Sequence, residues 1–407
     1  MDFSFSEDER LFQESLREFL RGEMAPLTKV RDNKGPLTKE EALGILKKFQ
    51  SVGISLDPEG LRMLIGNPVF FCVFCEEVGR VWPSLSPLLG MGAIPAMFVP
   101  FASEETKERL MPKLNRAEFL GCFAETEPGA GCDTSSLKTT ARLDGDTYVV
   151  NGTKTWISNA PIADVAFIGV HDAQTGAQTF LLAERDVSPW TTNELHKIGW
   201  KASPTGEMYL EDVRVPKDNE MGAMITKAFS SGSNLTEALP ISEGMMRILT
   251  TSSPATALLI TPRVGMALTS VGIATAALEA SIAYAKERRQ FGKPIGKFQL
   301  IQEMLYEMSV LIETSRLLAY RALNAIVAGS AEARGLSAMA KVYAGESAVK
   351  VTYNAIQIHG GMGLSEEMPL ERYFRDARMM TIPDGTSEIM KLITGYELLG
   401  KGFAAYA

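Results

Sequence analysis

The sequence predicts an α+β protein: an N-terminal helical domain, a middle β-barrel or β-sandwich domain, and a C-terminal antiparallel four-helix bundle. Three observations support this order. Apolar residues recur with helical spacing over 7–116, β-prone runs follow, and long helical patterns return after residue 255. We therefore predict an N-terminal domain (1–118), a middle domain (119–222), an atypical insertion or linker (223–262) and a helical bundle (263–407).

The N-terminal region shows its helical spacing most clearly at Leu16, Phe19 and Leu20, and Pro and Gly breaks separate its segments. A Cys-x-x-Cys pair, Cys72 and Cys75, lies in an apolar, helix-like run. The three histidines are not placed to complete a zinc site with it. Because free cysteine is a common core residue, we interpret the pair as packing residues.

The middle region is rich in β-branched and aromatic residues. Thr147–Ser158 contains two β-prone runs around Asn151-Gly152, which predicts a hairpin turn at that dipeptide. A second turn is predicted near Gly176, and further strands are predicted at 165–170, 179–183 and 207–215.

Three long segments of helical period follow, at 264–289, 298–328 and 337–358, and short loops between them favour an antiparallel bundle. The preceding stretch, 221–262, is irregular apart from a short helix-like piece at 243–249. It suits a lid or a surface insertion, and we favour the insertion.

Composition narrows the possible partners. The 407-residue chain has 41 Lys plus Arg and 49 Asp plus Glu, a net charge of −8, which disfavours a broad nucleic-acid surface. The acidic start lacks the features of a secretory signal, and polar residues interrupt the longer apolar stretches before the roughly 20 residues of a spanning helix. We predict a cytoplasmic protein with a small-molecule or protein partner and no membrane segment.

One carboxylate stands out, Asp384, in the turn Pro383-Asp384-Gly385-Thr386 before a predicted helix start. Such a turn can aim a base at a substrate carbon. The alternative is ordinary turn chemistry, in which the Asp side chain satisfies nearby backbone donors.

Four other segments, 122–133, 151–158, 288–294 and 357–361, precede this turn in an α–β–α arrangement. Together and in this order, the five segments resemble the acyl-CoA dehydrogenase family over nearly the whole chain. No Gly-x-Gly-x-x-Gly follows a strand, so a Rossmann-type dinucleotide domain is not supported.

The resemblance implies FAD as cofactor. It places Phe123 and Thr126 at the isoalloxazine, Gly131 and Cys132 near phosphate, Trp156 on the flavin beside Ile157, Ser158 close to the reactive nitrogen, and Thr386 and Glu388 near the cofactor. Without the family, Trp156 is equally well a strand-packing residue. Cys132 replaces a usual Ser, and a thiol is a poor donor to phosphate.

The resemblance also implies that one subunit binds the FAD diphosphate of its neighbour, through Arg288, Gln290, Phe291, Gln357, Gly360 and Gly361. A homo-oligomer, most often a tetramer, follows. Composition alone favours a simpler role for Arg288, as a solvated charge at a helix end.

The implied reaction is α,β-dehydrogenation of an acyl-CoA, with Asp384 as the base and an electron-transfer flavoprotein as the electron acceptor. Substrate contacts are expected from Cys132, Ser203, Arg263 and Gly385. The family usually has Glu where this chain has Asp384, so the carboxylate is withdrawn by roughly 1.5 Å, and a 1 Å misplacement can cost about a hundredfold in rate.

Several alternatives remain open at the level of sequence. Glu125, Glu237 or Glu243 could be the base instead of Asp384. The segment 88–95 carries no charge, which disfavours a dicarboxylic acyl group and favours a branched, cyclic or medium-length one. The enzyme could instead reduce an enoyl-CoA or eliminate across other carbons of a ring, and a non-catalytic acyl-CoA-binding flavoprotein is the rival outside enzymology.

Overall fold

The computed structural model describes residues 4–230, 242–251 and 253–403. Its first part is helical. The helices are α1 (Glu7–Phe19), α2 (Ala25–Lys34), α3 (Lys39–Gln50), α4 (Pro58–Gly66), α5 (Pro68–Val81), α6 (Leu85–Phe98) and α7 (Glu104–Asn115), with a π-helical turn, Leu20–Met24, between α1 and α2. Polar caps begin several of these helices: Ser6 and Thr38 each form a capping box, and Asp57 and Asn67 accept backbone N–H groups.

The middle of the chain forms a seven-stranded sheet. Its strands are β1 (Gly121–Ala124), β2 (Thr140–Asp144), β3 (Thr147–Ser158), β4 (Val165–Asp172), β5 (Gln178–Glu184), β6 (Thr191–Glu194) and β7 (Thr205–Pro216). β4 pairs in parallel with β1 and β2, and the other pairs are antiparallel. The predicted turn near Gly176 is confirmed, since it joins β4 to β5.

The predicted hairpin at Asn151-Gly152 is wrong. β3 runs straight through this dipeptide, and the turn into β3 is at Gly145. Gly152 instead lies at a β-bulge, where a Cβ would collide with Thr139. Here glycine therefore allows two backbone segments to approach closely and does not form a turn.

The C-terminal part is a helical bundle. It contains α8 (Met221–Ser230), α9 (Glu243–Thr251), α10 (Pro254–Glu287), α11 (Gln299–Val327), α12 (Ala333–His359), α13 (Leu370–Met379) and α14 (Ser387–Leu399). A two-stranded ribbon, β8 (Arg289–Gln290) and β9 (Lys293–Pro294), follows α10. The fold is thus the predicted succession of helical domain, sheet and helical domain.

Two details of the bundle differ from expectation. The helix-like piece predicted at 243–249 is confirmed as α9, but the other described parts of the predicted insertion are helical rather than irregular. In addition, α10 begins nine residues before the predicted start of the bundle, because Pro262 lies inside the helix instead of ending it. By length and composition α10 could also span a membrane. However, 83% of its most apolar 18-residue stretch is buried inside the protein, as expected for a helix in the core.

The hydrophobic core continues between the domains. One cluster joins the N-terminal helices to the bundle, with Phe49, Trp82 and Leu268 among its members. Cys72 and Cys75 lie in this cluster, as the packing interpretation predicts. A second cluster joins helices α6 and α7 to the sheet, and the space between these clusters holds the cavity described next.

Candidate active site

A cavity of about 240 Å³ lies between the N-terminal helices, the sheet and α10. Its wall is largely apolar and includes Leu89, Ile94, Phe98 and Met266. Among the described residues that line it, Asp384 is the one Asp, Glu, Lys, Arg or His side chain. A single acid at the edge of an apolar cavity is the arrangement expected for a base that acts on an apolar substrate.

The backbone presents Asp384 through a tight turn. Asp384 has φ 58° and Gly385 has φ 102°, both in the left-handed region. Glycine is favoured at position 385 because its φ strains any residue with a Cβ, and a Cβ there would also displace the flexible end of Met390. Thr386 then caps α14 by accepting the N–H of Ile389 at 3.5 Å. The predicted turn followed by a helix start is therefore present.

Two buried cations hold this turn by its carbonyl groups. Arg263 Nε donates to the Asp384 carbonyl at 3.0 Å, and Lys341 Nζ donates to the Gly385 carbonyl at 2.6 Å. Burial raises the pKa of Asp384 above its ordinary value, although the charges of Lys341 and Arg263 oppose that rise. Burial also lowers the pKa of Lys341, to about 8. The turn is thus fixed in place while its carboxyl group is made more basic.

A second carboxyl group, Glu125, lies at the end of β1. Its side chain is buried, and its Oε1 atom has no hydrogen-bond partner. Burial raises the pKa of Glu125 to about 7, Lys154 and Arg263 lower it, and Asp384 raises it further. Lys154 Nζ donates at 2.8 Å to both the Glu125 carbonyl and Glu127 Oε1. Glu125 therefore shares an electrostatic cluster with Asp384 but is not among the residues that line the cavity.

The other candidate bases fare differently. Glu243 begins α9, is exposed and does not line the cavity. Glu237 lies outside the described residues. Of the four carboxylates considered from sequence, Asp384 is the one that the described structure places in the cavity wall.

Several predicted cofactor residues converge beside this turn. Ser158, at the end of β3, lines the same cavity as Asp384. Cys132 Sγ lies 3.9 Å from Thr386 Oγ1, and the Thr126 carbonyl accepts the N–H of Thr155 at 2.9 Å. Gly131 and Glu388 are exposed. Three segments that are distant in sequence thus meet at one edge of the cavity.

Trp156 lies at a second bulge in β3 and has φ 59°, an uncommon conformation for a bulky residue. Its side chain is 57% exposed. The strained backbone holds this indole ring in solvent, two residues along β3 from Ser158 in the cavity wall, and so gives a planar surface on which a ligand ring can stack. This placement does not fit the alternative of simple strand packing.

Three predicted contact residues are buried in the core instead. Phe123 stacks on Phe180 with ring centroids 5.1 Å apart, and Ile157 is 3% exposed, so both can meet a flavin mainly through their backbone. Ser203 is fully buried and does not line the cavity. The structure gives the Ser203 side chain no surface for a substrate, because the loop that carries it folds inward.

The remaining predicted cofactor residues lie at the far end of α10. Arg288, Gln290, Phe291, Gln357, Gly360 and Gly361 are all exposed. Tyr284, near the end of α10, stacks on His359, near the end of α12, with centroids 4.3 Å apart, so the two predicted segments are neighbours. Arg263 and Arg288 are separated by about 37 Å along α10 at 1.5 Å per residue.

Helix α13, which precedes the turn that carries Asp384, shapes one side of the cavity. Asp376 on α13 accepts the N–H of Trp200 at 2.7 Å, and Trp200, which lines the cavity, has φ 50°. The Arg375 carbonyl approaches Gly199 too closely for a side chain there. α13 thus positions both the Trp200 wall and the turn that carries Asp384.

Sequence reasoning missed Lys341 and Lys154. Both side chains are almost fully buried, at 1% and 0% exposure. The signal for Lys341 was present: it is a lone charge in a run of small residues, on the helix face shared by Ala338, Ala344 and Ala348. Lys154 lies between two threonines, the half-buried Thr153 and the buried Thr155, and carries no comparable signal.

Comparison with known families covers most of the chain. The acyl-CoA dehydrogenase N-terminal domain model matches residues 6–118, the middle domain model 122–213 and the C-terminal domain model 255–399.

Individual relatives match over nearly their full length. The chain is 35% identical to glutaryl-CoA dehydrogenase of Desulfococcus multivorans, covering 98% of each, and 30% identical to cyclohexane-1-carbonyl-CoA dehydrogenase of Geobacter metallireducens, covering 98% of this chain and 99% of that protein. A solved glutaryl-CoA dehydrogenase in complex with glutaryl-CoA superposes with a TM-score of 0.82 at 34% identity, covering 98% of this chain and 97% of that one.

Proposed function

This chain belongs to the acyl-CoA dehydrogenase family of FAD-dependent oxidoreductases, and from that premise we propose that it dehydrogenates the α and β carbons of a thioester with an apolar acyl group. The acyl group is branched, cyclic or of medium length. An electron-transfer flavoprotein accepts the electrons.

The cavity wall is the observation that supports this substrate class. No cationic side chain is among the described residues that line it. A terminal carboxylate would be desolvated there without a partner, at a cost of several kcal/mol. Although some of its relatives act on glutaryl-CoA, the proposed substrate for this chain therefore has no second acid.

Asp384 is the proposed base. Its carboxyl group takes the proton from the carbon next to the thioester, and its raised pKa makes it a stronger base than an exposed Asp. Arg263 and Lys341 hold the turn, so that the shorter side chain starts from a fixed point. The apolar wall excludes water from the proton transfer.

When bound, FAD supplies the acceptor for the hydride that leaves the β carbon. The exposed, strained Trp156 and the convergence of Ser158, Cys132 and Thr386 fit a flat ring with a polar edge beside the Asp384 turn. Thr126, Gly131 and Glu388 are the remaining residues of the proposed cofactor edge. Phe123 and Ile157 contribute backbone.

The length of α10 supports a homo-oligomer. Arg288 lies about 37 Å along the helix from Arg263, beyond the reach of a cofactor bound at Asp384 in the same subunit. We propose that the six exposed residues at that end bind the FAD diphosphate of a neighbouring subunit in a tetramer. The same surface carries exposed apolar side chains, with Phe291 at 92% exposure.

The test is rapid mixing of FAD-loaded protein with a panel of CoA thioesters under anaerobic conditions, followed by flavin absorbance. Pentanoyl-CoA and glutaryl-CoA form a matched pair, since they share a five-carbon chain and differ in the terminal carboxylate. We expect pentanoyl-CoA and the cyclic or branched thioesters to bleach the flavin at least tenfold faster than glutaryl-CoA. Faster bleaching by glutaryl-CoA refutes the substrate class. Return of the flavin absorbance when reduced protein is mixed with enoyl-CoA thioesters, together with no bleaching of oxidised protein by saturated thioesters, supports the reducing direction instead.

A further inference from the structure

Helix α9 packs against α10 and α11 of the bundle and contributes to the cavity wall. Met245 and Ile248 both line the cavity. They are three residues apart and therefore lie on the same face of the helix. The next residue, Met246, is buried in the cluster that joins α6 and α7 to the sheet, whereas Met245 belongs to the cluster that joins the N-terminal helices to the bundle. α9 thus closes the junction between two cores.

The start of α9 is anchored to the end of α11. Ser242 Oγ donates to the Val327 carbonyl at 2.9 Å and accepts the N–H of Met245 at 3.1 Å. Gly244 lies against the turn after α11 so closely that a Cβ would collide with Val327 and Gly329. The cap and this contact fix the rotation of α9, and hence the direction of Met245 and Ile248.

This anchoring point is away from the base. α10 and α11 run antiparallel, so the end of α11 lies beside the start of α10. Arg263, which holds the Asp384 turn, lies about 14 Å along α10 from Pro254 at 1.5 Å per residue. The side chains of α9 therefore meet the acyl group at a distance from the reacting carbons.

We propose that α9 determines which acyl groups the enzyme accepts: Met245 and Ile248 close the cavity at the start of α10 and limit the length and width of the acyl group. The inference rests on the proposed function, because it names the specificity determinants of the same site. Both side chains are apolar, so they select by shape rather than by charge. One methylene group more or less in an apolar pocket changes kcat/KM by about 10- to 200-fold.

The experiment compares thioester profiles of FAD-loaded variants. Met245→Ala and Ile248→Ala enlarge the cavity, and Ile248→Phe fills it. Arg247→Ala is the matched control, since this exposed residue lies on the same helix. For each protein, kcat/KM is measured for straight-chain thioesters from four to twelve carbons and for a cyclic thioester.

We expect the two enlarging variants to raise the ratio of kcat/KM for the longest to the shortest substrate at least about tenfold, and Ile248→Phe to lower it by a similar factor. Arg247→Ala should keep the wild-type ratio. If an Ala variant does not fold, Ile248→Phe and Met245→Leu still test the direction of the change in chain-length preference. Ile248→Phe fills the cavity and must favour short chains, whereas Met245→Leu conserves volume and must not.

The outcomes separate the two claims. If a thioester reduces the wild-type flavin but all folded cavity variants keep the wild-type profile, this inference is overturned and the proposed function stands. If no thioester reduces the wild-type flavin, the proposed function fails and this inference fails with it.

Discussion

The two ends of α10 serve the proposed cofactor site in opposite ways. At the Arg263 end, the side chains of Arg263, Lys341 and Glu125 are buried and cluster with the half-buried Asp384, and burial raises the pKa values of both carboxyl groups. At the Arg288 end, the charged and polar groups are exposed, and the buried His359 has its pKa lowered by burial, which favours its neutral form.

The contrast fits the role proposed for each end. A base that removes a weakly acidic proton needs a raised pKa, which requires burial. A group proposed to bind the FAD diphosphate of a neighbouring subunit has to protrude far enough to reach it, and Arg retains its charge in solvent. One helix can meet both demands because its length separates them.

The largest expected effect tests the base. Asp384→Asn should slow flavin reduction by roughly 100- to 10,000-fold, because the amide cannot accept the substrate proton. Anaerobic rapid mixing with a good thioester measures the rate. The FAD content should be unchanged. Asp384→Glu should retain measurable reduction, and Glu125→Gln should stay within about tenfold of wild type. Normal reduction in Asp384→Asn would show that another residue is the base.

The second prediction tests the raised pKa of Glu125 at the Arg263 end of α10. The pKa of Glu125 is about 7 in the folded protein and near 4.5 when unfolded, so the folded state binds the extra proton between these values. Its contribution to stability is present below about pH 4.5 and is lost as the pH rises through 7. Glu125→Gln removes this pH-dependent loss of stability, because the amide does not titrate. Relative to wild type, the variant should gain up to about 3 kcal/mol in free energy of unfolding between pH 5 and pH 8.

Denaturant unfolding at several pH values measures this difference. Glu243→Gln, at an exposed position, is the control and should follow wild type at every pH. A difference between Glu125→Gln and wild type that does not change with pH would mean that Glu125 is charged throughout.

The third effect tests the exposed end. Arg288→Ala should weaken FAD binding by roughly 10- to 100-fold, since a hydrogen bond from a charged group contributes about 1.5–3 kcal/mol. The reduction rate per bound flavin should be unchanged. Fluorescence titration of apoprotein with FAD measures the affinity. Lys286→Ala, exposed in the last turn of α10, is the matched control. Equal affinities in both variants would remove Arg288 from the cofactor site.

The smallest effect concerns Cys132. Replacing this exposed thiol in Cys132→Ser should tighten FAD binding about two- to fivefold, because a hydroxyl is the better donor to phosphate. Cys132→Ala is the comparison and should not tighten it. The same titration reports both. Tighter binding in Cys132→Ala would mean that the thiol obstructs the cofactor rather than donating weakly.

Much of the fold and part of the site could be predicted from local patterns. Helical spacing at Leu16, Phe19 and Leu20 and the strand at Glu207 follow from side-chain periodicity, and the Asp384 turn follows from Pro-Asp-Gly chemistry. The hairpin at Asn151-Gly152 failed because two different backbone needs, a turn and a close approach to Thr139, select the same residue.

The sequence by itself determined the order of helices and strands, the family and the position of the acidic turn, because these depend on residue type, spacing and neighbours along the chain. Only the tertiary structure decided that Lys341 and Glu125 join Asp384, that Ser203 is buried in the core, and that α9 lines the cavity. Burial and charge proximity arise when segments distant in sequence pack together, so no local pattern encodes them.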